Sequence, residues 1–166
     1  ETTGKAVWAE QFAKRAADFG IEGDRVENVL WRLSKGQVDG INPKVVVLMI
    51  GTNNTGRDSA EQIADGIKKT VDEYLNRCPR AHLILMSVFP RAFKPNDPAR
   101  LKVVAINKSL AAIRNDRVDL VDIGPKLTQP DGVISPQMMP DAVHPTAAGY
   151  KIWADALAPY LEKYLK

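Results

Sequence analysis

An aspartate stands three residues ahead of a histidine in Asp141-Ala-Val-His144. At that spacing a carboxylate can accept a hydrogen bond from one imidazole nitrogen. Such a bond fixes the tautomer and stabilises the ring once the other nitrogen has taken a proton. The pair suits general-base work, and it is equally compatible with a loop carboxylate beside a surface histidine. A second signal is Gly51-Thr52-Asn53-Asn54, small and polar residues directly after the apolar run from Val45 to Ile50. A carboxamide offers two uncharged donors. At a strand terminus it can hold a developing oxyanion without disturbing the proton equilibrium of a neighbouring histidine. The plainer reading of the two asparagines is an Asx-type turn. Gly23 also allows two readings, a positive-φ residue ahead of a helix or a point where a backbone N–H reaches a substrate oxygen. His82 heads an apolar segment with no carboxylate near it in sequence and reads as structural.

These residues need elements to hold them. Apolar residues at helical spacing predict helices over residues 6–17 and 25–35, the second with Asp24 as its N-cap and Gly36 as its stop. Ser59 and Gln62 have capping-box spacing ahead of a helix carrying Ile63, Ile67, Val71, Tyr74 and Leu75. Further helices are expected over residues 99–114 and from Thr146 onward, the last kinked by Pro159. Strands are expected at residues 44–50, buried on both faces, in "AHLILMSVF" and in "RVDLVDI", with a short strand-like piece in "DFGIEGD". Alternating strands and helices predict an α/β fold, a parallel sheet covered on both faces. In such sheets ligands bind beyond the carboxyl ends of the strands. The loops of interest are therefore residues 20–24, 51–56, 90–98 and the long stretch through His144.

The bulk numbers fit one soluble domain. The chain has 166 residues, 45% hydrophobic and 26% charged, with net charge +3. Basic residues are interspersed with acidic ones, so no nucleic-acid stripe stands out. A single cysteine, Cys78, excludes an internal disulfide framework and reads as a small apolar residue near a helix end. No apolar stretch reaches membrane-spanning length. The loops after the strands lack a phosphate-cradling glycine pattern, which argues against a flavodoxin-like nucleotide binder.

Three blocks, "GIEGDRVENVLWRL", "VVVLMIGTNN" and "DAVHPTAAGYKIWADAL", in this order, resemble the SGNH hydrolases, also called GDSL-type esterases, and most closely the branch of the platelet-activating-factor acetylhydrolase catalytic subunits and their bacterial relatives. The resemblance implies a three-layer α/β/α sandwich with a flavodoxin-like parallel sheet, in a single domain over residues 1–166. It further implies that Gly23 and Asn53 donate to an oxyanion hole and that Asp141 and His144 are the acid and base of a triad. Asn54 would hold the Asn53 loop, and Thr52 and Val143 would shape an acyl pocket. The implied reaction is hydrolysis of a short acyl ester of a carbohydrate, lipid or other small alcohol, with no metal or cofactor. A homodimer is left open, as is the compartment: cytoplasmic, or secreted or periplasmic if an upstream signal is removed.

The sequence departs from the family at two places. Glu22 stands where relatives usually carry glycine. The Gly-Asp-Ser block that carries the nucleophile is absent. The five serines are Ser34, Ser59, Ser87, Ser109 and Ser135. Only Ser87, near a strand end, is a spare candidate, and it reads as a core hydroxyl. The missing block would also supply an interior strand, and the chain begins at Glu1 without a methionine. The expectation is an N-terminally incomplete hydrolase, inactive by itself, with Gly-Asp-Ser shortly upstream. The alternative is a non-catalytic binding subunit on the same fold that has lost its nucleophile.

Overall fold

A computed structural model describes residues 3–166. Three parallel strands, β1 (Val45–Leu48), β2 (His82–Met86) and β3 (Val118–Val121), lie in the order β1-β2-β3. Val47 pairs with Ile84, and Ile84 with Asp119. Six helices accompany them: α1 (Lys5–Gln11), α2 (Val26–Ser34), α3 (Ala60–Arg77), α4 (Pro98–Leu110), α5 (Gly124–Leu127) and α6 (Ala147–Tyr164).

The pleat of β2 divides the core in two. Leu83 and Leu85 point into a cluster built from α2, α3 and α4, through Val29, Leu33, Ile63, Ile67, Val103 and Ile106. Ile84 and Met86 point the other way, to Phe12, Ala154, Leu157 and Leu161 of the α1 and α6 side. Side chains alternate across a strand, so a strand apolar at every position must be covered twice, and β2 is. This is the three-layer α/β/α arrangement expected of the sequence.

β1 is different. Val47 is 37% exposed and Met49 36%, so the run is not buried on both faces as its composition predicts. Among the described residues β1 is an edge strand with one neighbour. The "DFGIEGD" piece forms no strand; Asp24 N–H closes a turn onto the Ile21 carbonyl at 3.2 Å, and Phe19 and Ile21 are exposed.

Other boundaries shift for local reasons. α1 stops at Gln11, where Phe12 leaves the helix and packs its ring at a tilt against Trp8 and Trp153. Asp24 does not cap α2. Arg25 takes the N-cap position, and the Asp24 carboxylate instead binds both terminal nitrogens of Arg32, at 2.8 and 2.5 Å. The Ser59–Gln62 capping box forms as expected, with bonds of 3.1 and 2.9 Å. α6 continues through Pro159 without a break.

The direction of α6 fixes where His144 sits. At its far end the Tyr164 hydroxyl donates to Asp119 of β3 at 2.7 Å, and its ring stacks on His82 at the head of β2. Lys44, just ahead of β1, binds the carbonyls of Leu165 and Lys166. The carboxyl end of α6 therefore lies over the amino ends of the strands. Its 18 residues span about 27 Å at 1.5 Å per residue. Its amino end, three residues past His144, reaches the opposite edge of the sheet, where β1 delivers Asn53. His82 is not without a carboxylate: its Nε2 lies 2.9 Å from Asp119. Thirty-seven residues separate that pair in sequence, which is why local reading missed it. Burial opposes ionisation of Asp119, but the Tyr164 hydroxyl and the His82 ring outweigh it and hold its carboxyl below the ordinary value.

Candidate active site

Two groups of residues face the carboxyl edge of the sheet. The first is the Asp141–His144 turn. His144 Nδ1 lies 2.6 Å from Asp141 Oδ2. The other carboxylate oxygen accepts the backbone N–H groups of His144 at 2.8 Å and Val143 at 3.0 Å. The aspartate thus orients both the ring and the loop that carries it. The His144 ring first, then the His144 and Val143 N–H groups, hold the Asp141 carboxyl well below the usual carboxylate range. With Nδ1 bound to Asp141, Nε2 is the ring atom that could accept a proton. The turn depends on Ala142, which is buried and has φ 56°, a left-handed conformation unusual for a non-glycine residue.

The second group gathers around the end of β1. Gly51 has φ 112°, and a Cβ there would lie 2.9 Å from Ile63 and 3.0 Å from Ile67. No other residue type fits, and the chain turns at this glycine into a 3-10 turn over Thr52–Asn54. Asn53 is exposed, and its Nδ2 donates to the Asp24 carbonyl at 2.9 Å. One amide hydrogen is spent on that contact, and the second is not needed for it. The bond brings Asn53 beside Gly23, whose φ is 79° and whose N–H has no hydrogen-bond partner among the described residues.

Asn54 points inward and is 3% exposed. Its Oδ1 accepts the Val26 N–H at the start of α2 at 3.0 Å. Its Nδ2 donates to Glu27 at 3.0 Å and Asp58 at 2.7 Å. The Arg57 guanidinium first, then the Asn54 amide, lower the Asp58 carboxyl to about 2. Asn54 thus ties the β1 loop to α2. In Asn54→Asp the Val26 contact survives, but an oxygen faces two carboxylates where a donor stood. The expected loss is about 2 kcal/mol of stability, the cost of a broken buried charged hydrogen bond, read as a lowered urea midpoint at unchanged m-value.

The serines of the chain have other occupations. Ser34 donates to Trp31, Ser109 to Ala105 and Ser135 to Gln137, while Ser59 caps α3. Ser87 is 3% exposed at the end of β2, the core hydroxyl its position suggested. Thr52 and Val143 are half-buried, and Glu22 is exposed. Among the described residues no group of three or more His, Cys, Asp or Glu could hold a metal ion, and no helix is long and apolar enough to cross a membrane.

Sequence reasoning missed the cations behind the site. Arg91 donates to the Thr52 carbonyl at 2.7 Å, and Lys102 to the carbonyls of Thr55 and Asp58 at 2.7 and 3.0 Å. Arg100 donates to the carbonyls of Arg91, Ala92 and Gly132. One signal was available: Arg100 extends the apolar stripe Val103, Ile106, Leu110 by one turn, and a cation in such a stripe must find buried acceptors.

The profile of the GDSL-like lipase/acylhydrolase family matches residues 1–152. Platelet-activating factor acetylhydrolase IB subunit alpha2 of Rattus norvegicus is 40% identical over 149 residues, covering 87% of this chain and 63% of that protein. The chain therefore spans less than two thirds of the length of that relative. Subunit alpha1 of Pongo abelii is 37% identical over 162 residues, covering 96% of this chain and 69% of that protein. The solved structure of a GDSL-like lipase from Bacteroides thetaiotaomicron superposes with TM-score 0.79 at 23% identity, over 98% of this chain and 81% of that one, a likeness of fold. A family profile matched over nearly the whole chain, with relatives at this level of identity, shows that the chain belongs to the GDSL-like lipase/acylhydrolase family, within the SGNH hydrolase superfamily.

Proposed function

We propose that this chain carries the acid–base and oxyanion parts of a serine ester hydrolase that removes short, acetyl-like acyl groups. The observation that carries the reading is the Asp141–His144 contact, with Nδ1 bound to the carboxylate, which assigns the base role to Nε2. In the reaction a serine Oγ attacks the ester carbonyl carbon as its proton passes to His144 Nε2. The negative charge that develops on the carbonyl oxygen is taken by the second Asn53 amide hydrogen and the Gly23 N–H. The C–O bond to the alcohol then breaks, the alcohol leaves with the proton from His144, and water repeats the cycle on the acyl-serine. Asp141 stays ionised throughout and stabilises the imidazolium.

The serine is the one part that the described residues do not place. The exposed edge of β1 supports its arrival on a further strand, since an unpaired edge with Val47 and Met49 uncovered is a ready template for pairing. Preference for short acyl groups is supported by Thr52 and Val143, both β-branched and stiff at χ1. The Thr52 hydroxyl is further held by Arg91 at 3.2 Å. The names of the relatives, acetylhydrolase subunits, point the same way.

The test compares the full-length gene product with residues 1–166 alone on p-nitrophenyl esters from acetyl to octanoyl. The full-length protein is expected to cleave acetyl fastest, and residues 1–166 to show no turnover. Val143→Ala should raise the octanoyl rate relative to acetyl. Equal acetyl and octanoyl rates in the unmutated protein would overturn the pocket. A full-length protein inert on every ester would favour a binding subunit that has lost its nucleophile.

A further inference from the structure

We propose that Arg91 is a positioning residue for the Asn53 oxyanion donor, an inference that rests on the ester-hydrolase reading. One nitrogen of its guanidinium, Nη1, makes three contacts: the Thr52 carbonyl at 2.7 Å, the Thr52 hydroxyl at 3.2 Å and the Thr55 hydroxyl at 3.0 Å. The Thr52 carbonyl is half of the peptide whose other half is the Asn53 N–H. A charged donor on that oxygen fixes the peptide plane from which the Asn53 side chain springs. The Thr55 hydroxyl donates to the same oxygen at 2.7 Å, so Arg91 and Thr55 close the 3-10 turn together.

Arg91 is itself held. Arg100, 6% exposed, donates from Nε to the Arg91 carbonyl at 2.9 Å and from Nη2 to the Ala92 carbonyl at 2.6 Å. Ala92 has φ 64°, so the backbone reverses directly after Arg91. The third Arg100 contact, to Gly132 at 2.9 Å, ties the same knot to the long loop that leads to His144. A continuous set of charged hydrogen bonds therefore runs from the α4 core to Thr52. Beyond Thr52, the exposed Asn53 amide has a single further stay, the Asp24 carbonyl.

An oxyanion donor works by standing in place before charge develops, and small misplacements are costly. Without Arg91 the Thr52 peptide keeps only the Thr55 donors, and the amide can swing about its contact with Asp24. The loss should fall on the transition state rather than on substrate binding. Arg91→Met in the full-length gene product should lower kcat roughly tenfold to thirtyfold, a part of the effect of one oxyanion donor, with KM within about twofold.

The double-mutant cycle with Asn53→Ala separates positioning from other roles. If Arg91 acts through Asn53, Arg91→Met changes kcat by less than about twofold once Asn53 is alanine. Arg91→Lys keeps a charged donor and should show the same non-additivity at smaller amplitude, which covers the case of a poorly folded Met variant. Fully additive losses, or a KM effect at unchanged kcat, would overturn the proposal. A second readout needs no turnover. The Asn53 side-chain amide signals in a ¹⁵N-correlated NMR spectrum should move towards free-amide positions in Arg91→Met and Arg91→Lys; unmoved signals in both would overturn it. A full-length protein inert on esters would refute the hydrolase reading, while these signals would still decide whether Arg91 positions Asn53.

Discussion

His144→Ala in the full-length gene product should lower kcat on a short-chain ester by about a thousandfold or more, the size of loss when a member of an acting triad is removed. The reason is geometric. His144 Nδ1 is bound to Asp141 at 2.6 Å, which orients the ring and makes Nε2 the atom that would exchange the serine proton on the ester-hydrolase reading. No other histidine can substitute: His82 lies at the opposite edge of the sheet, bound to Asp119 and stacked on Tyr164. The pH profile gives an independent check. Asp141 is held well below the usual carboxylate range, by the His144 ring before all else. A carboxyl with a depressed pKa contributes its stability above the unfolded-state value and loses it as pH falls further. Through the mildly acidic range Asp141 is therefore ionised and adds no titration of its own to the loss of turnover. The acid limb of log kcat/KM should have unit slope; a slope of two would mean that a second group titrates with His144. Turnover in His144→Ala close to that of the unmutated protein would remove the assignment altogether.

Asn53→Ala should lower kcat by roughly a hundredfold to a thousandfold with little change in KM, as removal of one oxyanion donor does. The two neighbouring asparagines make this a sharp comparison. Asn53 is exposed and keeps one amide hydrogen beyond its bond to Asp24. Asn54 is buried, with Val26, Glu27 and Asp58 as its partners. Alanine at 54 should act through stability, and alanine at 53 through rate. Steady-state kinetics on both, at temperatures where each is fully folded, would separate them. A greater kcat loss at 54 would reverse the two roles.

Much of this was legible in the sequence because it is local. The period of Ile63, Ile67, Val71 and Tyr74 describes the buried face of α3, and the Ser59–Gln62 spacing describes its cap. The Asp141–His144 contact spans three residues, so the spacing allowed it, though without deciding between the pair and a surface histidine. What escaped reading depends on neighbours distant in the chain. Composition cannot tell a central strand from an edge one: β1 and β2 are similarly apolar, yet Val47 and Met49 are uncovered while Leu83 to Met86 are sealed. Asp24 looked like a helix cap because Asp often is one, but Arg32, two turns along, offers it two charged donors. The Arg91 and Arg100 contacts join residues up to 39 positions apart, and no pattern along the chain announces them.

The two halves of the site are made at different times during synthesis. Gly23 and Asn53 emerge early, on the α2–α3 side of the sheet, whereas Asp141 and His144 emerge late and are anchored through α6, the last helix. A nascent chain can build the first layer once α4 has followed β2, but Ile84 and Met86 have cover only from the α1 side until α6 docks. Ribosome stalling ahead of α6 thus leaves a polypeptide with Gly23 and Asn53 in place, Asp141 and His144 unanchored, and an apolar sheet face open to other chains. Docking of α6 anchors the Asp141–His144 turn and covers that face in the same event.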